Sequence, residues 1–307
     1  MKDEKETELD PLGFITIKKK PSKEEIQKHY ENFFVNYKDK KIRKNYQEKY
    51  DSKEIQHINL QNELCLFSIY KIRENWKENP GSFFEVGVGE GFLLEKARMN
   101  GWQIHGTDFS KSGIQKFNPQ LIKNVEFGDA FEILEKYRNE GKKYDVCIAQ
   151  NVLEHVLDPK TLMTNLRSML KENGVIVIKV PNDFSEIQKR VFDLGIIKEK
   201  FWIVPPEHLN YFNTKNIQVF LKNLNFKIID MYSSFPIDFF LFHKGSNYII
   251  NEKNGKDAHQ ARIELDFILS ESGMANYHKF CQSLATCNVG RNLTVIIEKY
   301  KNSNENT

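Results

Sequence analysis

The residues most able to do chemistry fall into three clusters. The first is Glu85-x-Gly87-x-Gly89-x-Gly91, read together with Asp108. Alternating glycines let a backbone come close to a ligand, because no side chain intervenes. Asp108 follows after about 20 residues, a spacing at which a carboxylate can reach both hydroxyls of a ribose. A pyrophosphate wants Gly-x-Gly-x-x-Gly and a helix start that meets it with amides. Here the glycines alternate and the turn carries two acids, Glu85 and Glu90. Negative side chains repel a pyrophosphate and suit a ligand bearing an ammonium or sulfonium. The second cluster is Glu154-His155, with His208 further on. An unperturbed imidazole titrates at ~6.5, so either histidine can serve as a general base. The third is His259, Arg262 and Arg291. His259 and Arg262 share a helix face at i, i+3, and a guanidinium forks onto phosphate or carboxylate. Each arginine reads equally well as half of an ordinary surface ion pair.

These residues need elements to hold them. Phe83, Phe84, Val86 and Val88 make a short apolar run, as in a buried parallel strand. The glycine turn leads into a helix over about 92–100 that stops at Gly101, and a second strand over 103–108 ends on the acid. Strand, turn, helix, strand and acid make a nucleoside-binding half-fold. A third strand at 125–127 runs into Gly128-Asp129-Ala130, then a helix at 131–137 and a fourth strand at 144–149. Asp158 caps the next helix, with Pro159 at its first position. Leu162, Leu166, Met169 and Leu170 form its buried stripe, Gly174 is expected to end it, and a fifth strand runs over 175–180. A helix at 214–224 and strands at 226–232 and 293–300 complete the alternation.

The chain at this point resembles the class I S-adenosylmethionine-dependent methyltransferases, whose first motif is an acid followed by alternating glycines and whose second is the acid closing the next strand. Leu153-Glu154-His155-Val156 and the stretch FWIVPPEHLNYF at 201–212 resemble one branch of that family. It is the branch of ubiquinone-biosynthesis O-methyltransferases and of many sugar and natural-product methyltransferases. The resemblance covers 82–180 closely, and 207–233 and 293–300 more loosely. It implies an α/β fold, a Rossmann-like seven-stranded sheet with its last strand antiparallel and helices preceding it. It implies S-adenosylmethionine as cofactor, held by Glu85, Gly87, Gly89, Gly91, Asp108, Phe109, Asp129, Ala130 and Gln150. Asp129 would accept from the adenine amino group; it can also cap the following helix, and both roles can hold at once. His155, then His208, are the candidate bases, with Tyr211 and Phe235 as acceptor contacts beside His259, Arg262 and Arg291. His155 reads also as a helix-start residue bonding backbone or the methionine end of the cofactor. A divalent metal shared by Glu154, His155 and His208 is a bolder reading. Successive residues on a helix point ~100° apart, so no metal is assigned.

Residues 1–21 are polar and read as a disordered tail. Ser22-Lys23-Glu24-Glu25 is a capping box, and Ile26, Tyr30, Phe33, Phe34 and Tyr37 recur at helical spacing. A second helical pattern over 55–76 stops at Asn79-Pro80-Gly81, so 22–80 reads as a helical lid. Tyr30, Phe33 and Tyr37 either line that lid or pack on the core. The cofactor-binding core is 81–233 plus 293–301, with a substrate-side insertion at 182–213. Residues 234–292 form an inserted helical cap between strands six and seven, with helices at 258–270 and 275–285.

Composition narrows the classes. With 40% hydrophobic residues over 307 positions the chain can fill a core, which argues against a disordered protein. A net charge of +3, from 45 basic and 42 acidic residues, carries no nucleic-acid footprint. Gln150-Asn151-Val152-Leu153 is not the Asn/Asp-Pro-Pro-aromatic segment of amino-methylating base enzymes. No apolar run approaches the ~20 residues of a membrane helix, and the charged first ten residues lack the apolar stretch of a secretory signal. Cys65, Cys147, Cys281 and Cys287 show neither metal-ligand nor disulfide spacing. The expectation is a cytoplasmic methyltransferase acting on O or N of a small metabolite, with a non-catalytic S-adenosylmethionine-binding protein as the first alternative and a nucleic-acid methyltransferase as the second. If the arginines hold an anion, the acceptor is a nucleotide-linked or phosphorylated sugar or amino acid of surface-glycan assembly. Oligomeric state is not set by the sequence.

Overall fold

The computed structural model describes residues 6–26, 28 and 50–300. Tyr30, Phe33, Phe34 and Tyr37, and with them most of the expected first lid helix, lie outside the described residues. In chain order the elements are β1 (Thr7–Leu9), β2 (Ile15–Ile17), α1 (Ser52–Ile72), β3 (Ser82–Val86), α2 (Phe92–Met99) and β4 (Gln103–Asp108). Then come α3 (Ser112–Phe117), β5 (Val125–Phe127), α4 (Ala130–Asn139), β6 (Tyr144–Gln150), α5 (Pro159–Ser168) and β7 (Leu170–Pro181). The chain ends with α6 (Glu186–Asp193), β8 (Asn210–Tyr211), α7 (Asn216–Asn223), β9 (Phe226–Ser233), α8 (Asn254–Ser270), α9 (Met274–Thr286) and β10 (Asn292–Lys299). Seven strands form one sheet in the order β5-β4-β3-β6-β7-β10-β9. β3 runs parallel to β4 and β6, and β4 parallel to β5. β10 runs antiparallel to β9. This is the Rossmann-like α/β sheet that the alternation of elements and the resemblance imply.

The chain divides into two compact units, Lys19–Ile176 and Met1–Lys18 with Val177–Thr307. In the first, every residue of β3 is buried, as an apolar run between two parallel neighbours requires. The capping box at Ser22 forms as its sequence implies: Ser22 N donates to Glu25 Oε2 at 2.8 Å and Glu25 N to Ser22 Oγ at 3.2 Å. α1 starts on a second such box, Asp51 with Glu54. One expectation is corrected here. Gly174 does not end a helix, because α5 stops at Ser168 and Gly174 lies inside β7. A Cβ there would sit 3.0 Å from the carbonyl oxygens of Tyr144 and Asp145. The glycine therefore serves close approach to the neighbouring backbone, not a helix stop.

In the second unit, the tail expected to be disordered is corrected over 7–17. β1 and β2 pair antiparallel, and β2 pairs with β8. The hairpin is held by Phe14, whose ring lies 5.3 Å from both Phe212 and Phe220. Phe14 and Ile17 are both buried, so this short apolar stretch is fixed by partners remote in sequence. Residues 182–213 contain α6, capped by Ser185, and β8. Residues 234–292 contain a 3-10 turn (Ile237–Phe242), α8 and α9. α9 packs on β9: His278 Nε2 and Asp230 Oδ2 are 2.7 Å apart, and Gln282 Nε2 donates to Asp230 Oδ1 at 2.7 Å.

Candidate active site

The glycine turn follows β3 in the first unit. Gly87, Gly89 and Gly91 all have positive φ, at 70°, 59° and 81°, a region where a Cβ costs roughly 1–2 kcal/mol. At Gly87 there is also no room, since a Cβ would meet Val152 Cγ2 at 2.6 Å. The glycine turn is thus in direct contact with the turn after β6. Glu85 is buried at the end of β3, beside Gly106 of β4. Asp108, also buried, closes β4; its Oδ2 accepts from Gly89 N at 2.7 Å and its Oδ1 from Ser110 N at 2.8 Å. Burial raises its pKa, against the lowering effect of the Gly89, Ser110 and Phe109 amides. A carboxylate has about four lone-pair sites, so a ribose could add the donors that this buried acid still lacks. Acid, glycine backbone and open acceptor capacity fit an adenosine. Phe109 stands 43% exposed next to that acid, an accessible ring for a nucleoside to lie against.

Asp129 caps α4, its Oδ1 accepting from Phe131 N at 2.9 Å and Glu132 N at 3.1 Å. Its Oδ2 is 3.9 Å from Lys23 Nζ. Ala130 opens α4 and Gln150 ends β6. Sequence reasoning missed Tyr50, whose hydroxyl reaches both oxygens of Glu90 at 2.8 and 2.7 Å. Its ring sits against Phe92 and Phe117 at 5.6 and 5.2 Å. Burial raises the Glu90 pKa, and the Tyr50 hydrogen bond and Lys116 counter it. A lone tyrosine forty residues upstream carries no local signal of such a contact.

The turn after β6 carries Glu154 and His155. Asn151 there has φ of 51°, a conformation asparagine tolerates better than most residues. The segment is a turn, not a helix start; His155 N donates to Val152 O at 3.0 Å. That corrects the premise that these two side chains point apart. His155 Nε2 lies 3.7 Å from Glu154 Oε1, with the glutamate 1% and the histidine 23% exposed.

In the second unit, His208 is pinned by its backbone. Its N donates to Val204 O at 3.1 Å, and its O accepts from the Tyr211 hydroxyl at 2.9 Å. Tyr211 is wholly buried in β8, so it is a strut under His208 and not the open acceptor contact expected. His208 Nδ1 lies 4.0 Å from Asp183 Oδ2. Arg291 Nη1 donates to Asp183 Oδ1 at 3.2 Å, so this arginine is engaged within the protein and not held out for a substrate anion. Asp238, buried, accepts from Gln188 Nε2 at 3.2 Å and from the Tyr248 hydroxyl. Burial pushes the Asp183 carboxyl up to about 6, and Asp238 adds to that, while Arg291 and the nearby Gln188 oppose it. Burial disfavours the charge on Arg291, but Asp238 and Asp183 outweigh it and raise its pKa. His259 Nδ1 and Arg262 Nη2 are 2.9 Å apart, as their i, i+3 spacing on α8 allows. Arg262 Nε is buried with no hydrogen-bond partner among the described residues. Phe235 is half-buried, 6.4 Å from Phe240 between ring centres. Among the described residues, no helix is long and apolar enough to cross a membrane, and no cysteine is disulfide-bonded.

Known proteins bear on this geometry. A family model described as "Methyltransferase domain" matches residues 56–231. A ubiquinone biosynthesis O-methyltransferase of Rickettsia bellii is 25% identical over 172 residues, 54% of this chain and 70% of that protein. A malonyl-[acyl-carrier protein] O-methyltransferase of Halalkalibacterium halodurans is 30% identical over 140 residues, 42% of this chain and 51% of that one. A solved SAM-dependent methyltransferase from Archaeoglobus fulgidus is 17% identical, covers 81% of this chain and 100% of its own, and has a TM-score of 0.47. The family match spans the glycine turn, Asp108 and the Glu154-His155 turn. The chain belongs to this methyltransferase-domain family and is a class I S-adenosylmethionine-dependent methyltransferase.

Proposed function

We propose that the protein methylates an oxygen of a small acceptor, with His155 receiving the hydroxyl proton. The observation that carries this is the contact between the glycine turn and the turn bearing Glu154-His155, read from Gly87 and Val152. S-adenosylmethionine, when bound, supplies a methyl group already activated on a sulfonium, so positioning supplies most of the catalysis. Glu85, Gly87, Gly89 and Asp108 would hold it, with Asp129 at the adenine amino group and Phe109 beside the nucleoside. Glu154, buried and facing Nε2, orients the imidazole. Relatives named for O-methyl transfer support an oxygen acceptor. Arg262, whose Nε has no hydrogen-bond partner among the described residues, supports an acceptor with a phosphate or carboxylate. Arg291 does not, being paired with Asp183. A phosphorylated or nucleotide-linked sugar, or an amino acid, in surface-glycan assembly remains our reading of the acceptor class, in a cytoplasmic enzyme.

The test is S-adenosylhomocysteine release over a panel of hydroxyl acceptors with and without phosphate or carboxylate groups. Turnover with hydroxyl acceptors, lowered by about 10²–10⁴ in His155→Ala as for loss of a general base, is the expected result. Turnover confined to amines, or unchanged in His155→Ala, would overturn the reading.

A further inference from the structure

In the second unit, the 3-10 turn at Ile237–Phe242 and the loop after it hold apolar side chains out to solvent on a fixed backbone. Side chains three apart in a 3-10 helix lie over one another. Asp238 and Leu241 therefore share one face, and both are buried. Gln188 Nε2 and the Tyr248 hydroxyl anchor Asp238 there. Phe239 and Phe242 share another face and stand 47% and 45% exposed. Neither ring can turn inward without displacing that buried pair. The loop is built on Asn247, which is fully buried. Its Nδ2 donates to Leu241 O at 2.8 Å, and its Oδ1 accepts from Ile249 N at 3.0 Å and Ile250 N at 2.9 Å. Asn254 Nδ2 donates to Asn247 O at 3.2 Å and so ties the loop to the start of α8. Ile250 is left 63% exposed. Single exposed apolar side chains are ordinary, but these are held outward by one buried scaffold. Charges of both signs flank them. Lys244, Glu252, Lys253, Lys256 and Asp257 are all exposed, and none makes an ion pair among the described residues.

We infer that the surface bearing Phe239, Phe242 and Ile250 joins two copies of this chain about a two-fold axis, with the flanking charges pairing between copies. A two-fold contact sets one patch against itself, so every residue pair across it is made twice. A patch with lysines and acids together complements itself in that arrangement: Glu252 and Asp257 of each copy meet lysines of the other. An anionic lipid surface attracts lysines but repels those two acids, so the mixed charge favours the second copy. Exposed aromatics with a polar surround are also the usual anatomy of a protein contact. The inference is independent of which acceptor the enzyme methylates.

The experiment is sedimentation equilibrium of the full-length protein over a range of concentrations, beside co-sedimentation with vesicles of phosphatidylglycerol and phosphatidylcholine. Wild type is expected to form a reversible dimer of twice the 36.2 kDa chain mass. Phe239→Ser combined with Phe242→Ser should weaken the dimer about a hundredfold or more, with the melting temperature unchanged because both rings are exposed. Two charge variants test the pairing. One carries Lys244→Glu, Lys253→Glu and Lys256→Glu, and the other Glu252→Lys and Asp257→Lys. Each alone should stay monomeric, and an equimolar mixture should form a dimer. A wild type that is monomeric throughout overturns the inference, whether or not any variant folds. A folded double-serine variant that dimerises as wild type does, or a mixture that associates no better than its components, also overturns it. Monomeric wild type that pellets with the phosphatidylglycerol vesicles overturns it in favour of a lipid surface.

Discussion

The two units hold the acids of the candidate site and of the polar cluster around Asp183 differently. In Lys19–Ile176, the site acids are held by backbone amides: Asp108 by Gly89 and Ser110, and Asp129 by Phe131 and Glu132. An amide neutralises nothing, so each carboxylate keeps charge and acceptor capacity for a ligand. In the C-terminal unit the acids are met by side chains: Asp183 by Arg291, Asp230 by His278 and Gln282, Asp238 by Tyr248 and Gln188. These pairings spend the charge on the fold. An amide-held acid marks a place for a ligand, and an ion-paired acid marks a joint.

The strongest way to break this contrast is Arg291→Met. It leaves Asp183 buried without its cation, and removing one partner of a buried pair costs about 3–5 kcal/mol. Urea unfolding should report that loss, while S-adenosylmethionine affinity of the folded protein stays near wild type. A large loss of affinity with little loss of stability would show that Arg291 belongs to the ligand side of the contrast.

The pH dependence of stability sharpens it. A carboxyl raised to about 6 in the native state and ordinary when unfolded contributes stability fully below the unfolded pKa, and loses it as pH rises through the native one. For Asp183 that loss amounts to about 3 kcal/mol between roughly pH 4 and 6. Asp230 has the opposite sign. Burial opposes its ionisation, but His278 and Gln282 outweigh it and depress its pKa, so its contribution is present above the unfolded pKa and vanishes in acid. Denaturant titrations across this range should show the pH 4–6 slope flatten in Asp183→Asn, whereas Asp230→Asn should remove only the acid limb.

How much of this the sequence disclosed follows the same division. Glu85 to Gly91 and Asp108 could be read because their roles are local, each set by the turn or strand end on which it stands. The sheet could be read because apolar runs alternate with helical patterns. Gly174 misled because a glycine needed for close backbone approach and one ending a helix look alike in sequence. Residues 7–17 misled because the hairpin depends on Phe14 finding Phe212 and Phe220, some two hundred positions away. Arg291 reads in sequence as either an anion clamp or half of an ion pair, because its partner Asp183 is 108 residues distant. Side-chain pairing across such separations leaves no periodic trace, whereas backbone capping does.

Gly87→Val probes the nucleoside unit alone. Positive φ and the Val152 side chain together should cost about 2 kcal/mol. Calorimetry should show at least a tenfold loss of S-adenosylmethionine affinity, with the unfolding of the C-terminal unit unaltered. The smallest effect is expected from Tyr50→Phe. Glu90 departs from the pattern of Asp108 and Asp129, being an acid beside the glycine turn held by a side chain. Loss of that hydroxyl should lower stability by about 1 kcal/mol, read as a melting shift of a few degrees at most. A change in cofactor affinity larger than the change in stability would move Glu90 to the ligand-facing acids.

The most direct measurement is calorimetric titration of wild type and Asp108→Ala with S-adenosylmethionine, and with NAD as the competing nucleotide. Wild type should bind S-adenosylmethionine and not NAD. Asp108→Ala should lose about a hundredfold or more, since two hydrogen bonds to a charged group are worth roughly 1.5–3 kcal/mol each. Undiminished affinity in a folded Asp108→Ala protein, or binding of NAD alone, would contradict the assignment of the glycine turn and Asp108 as the cofactor site.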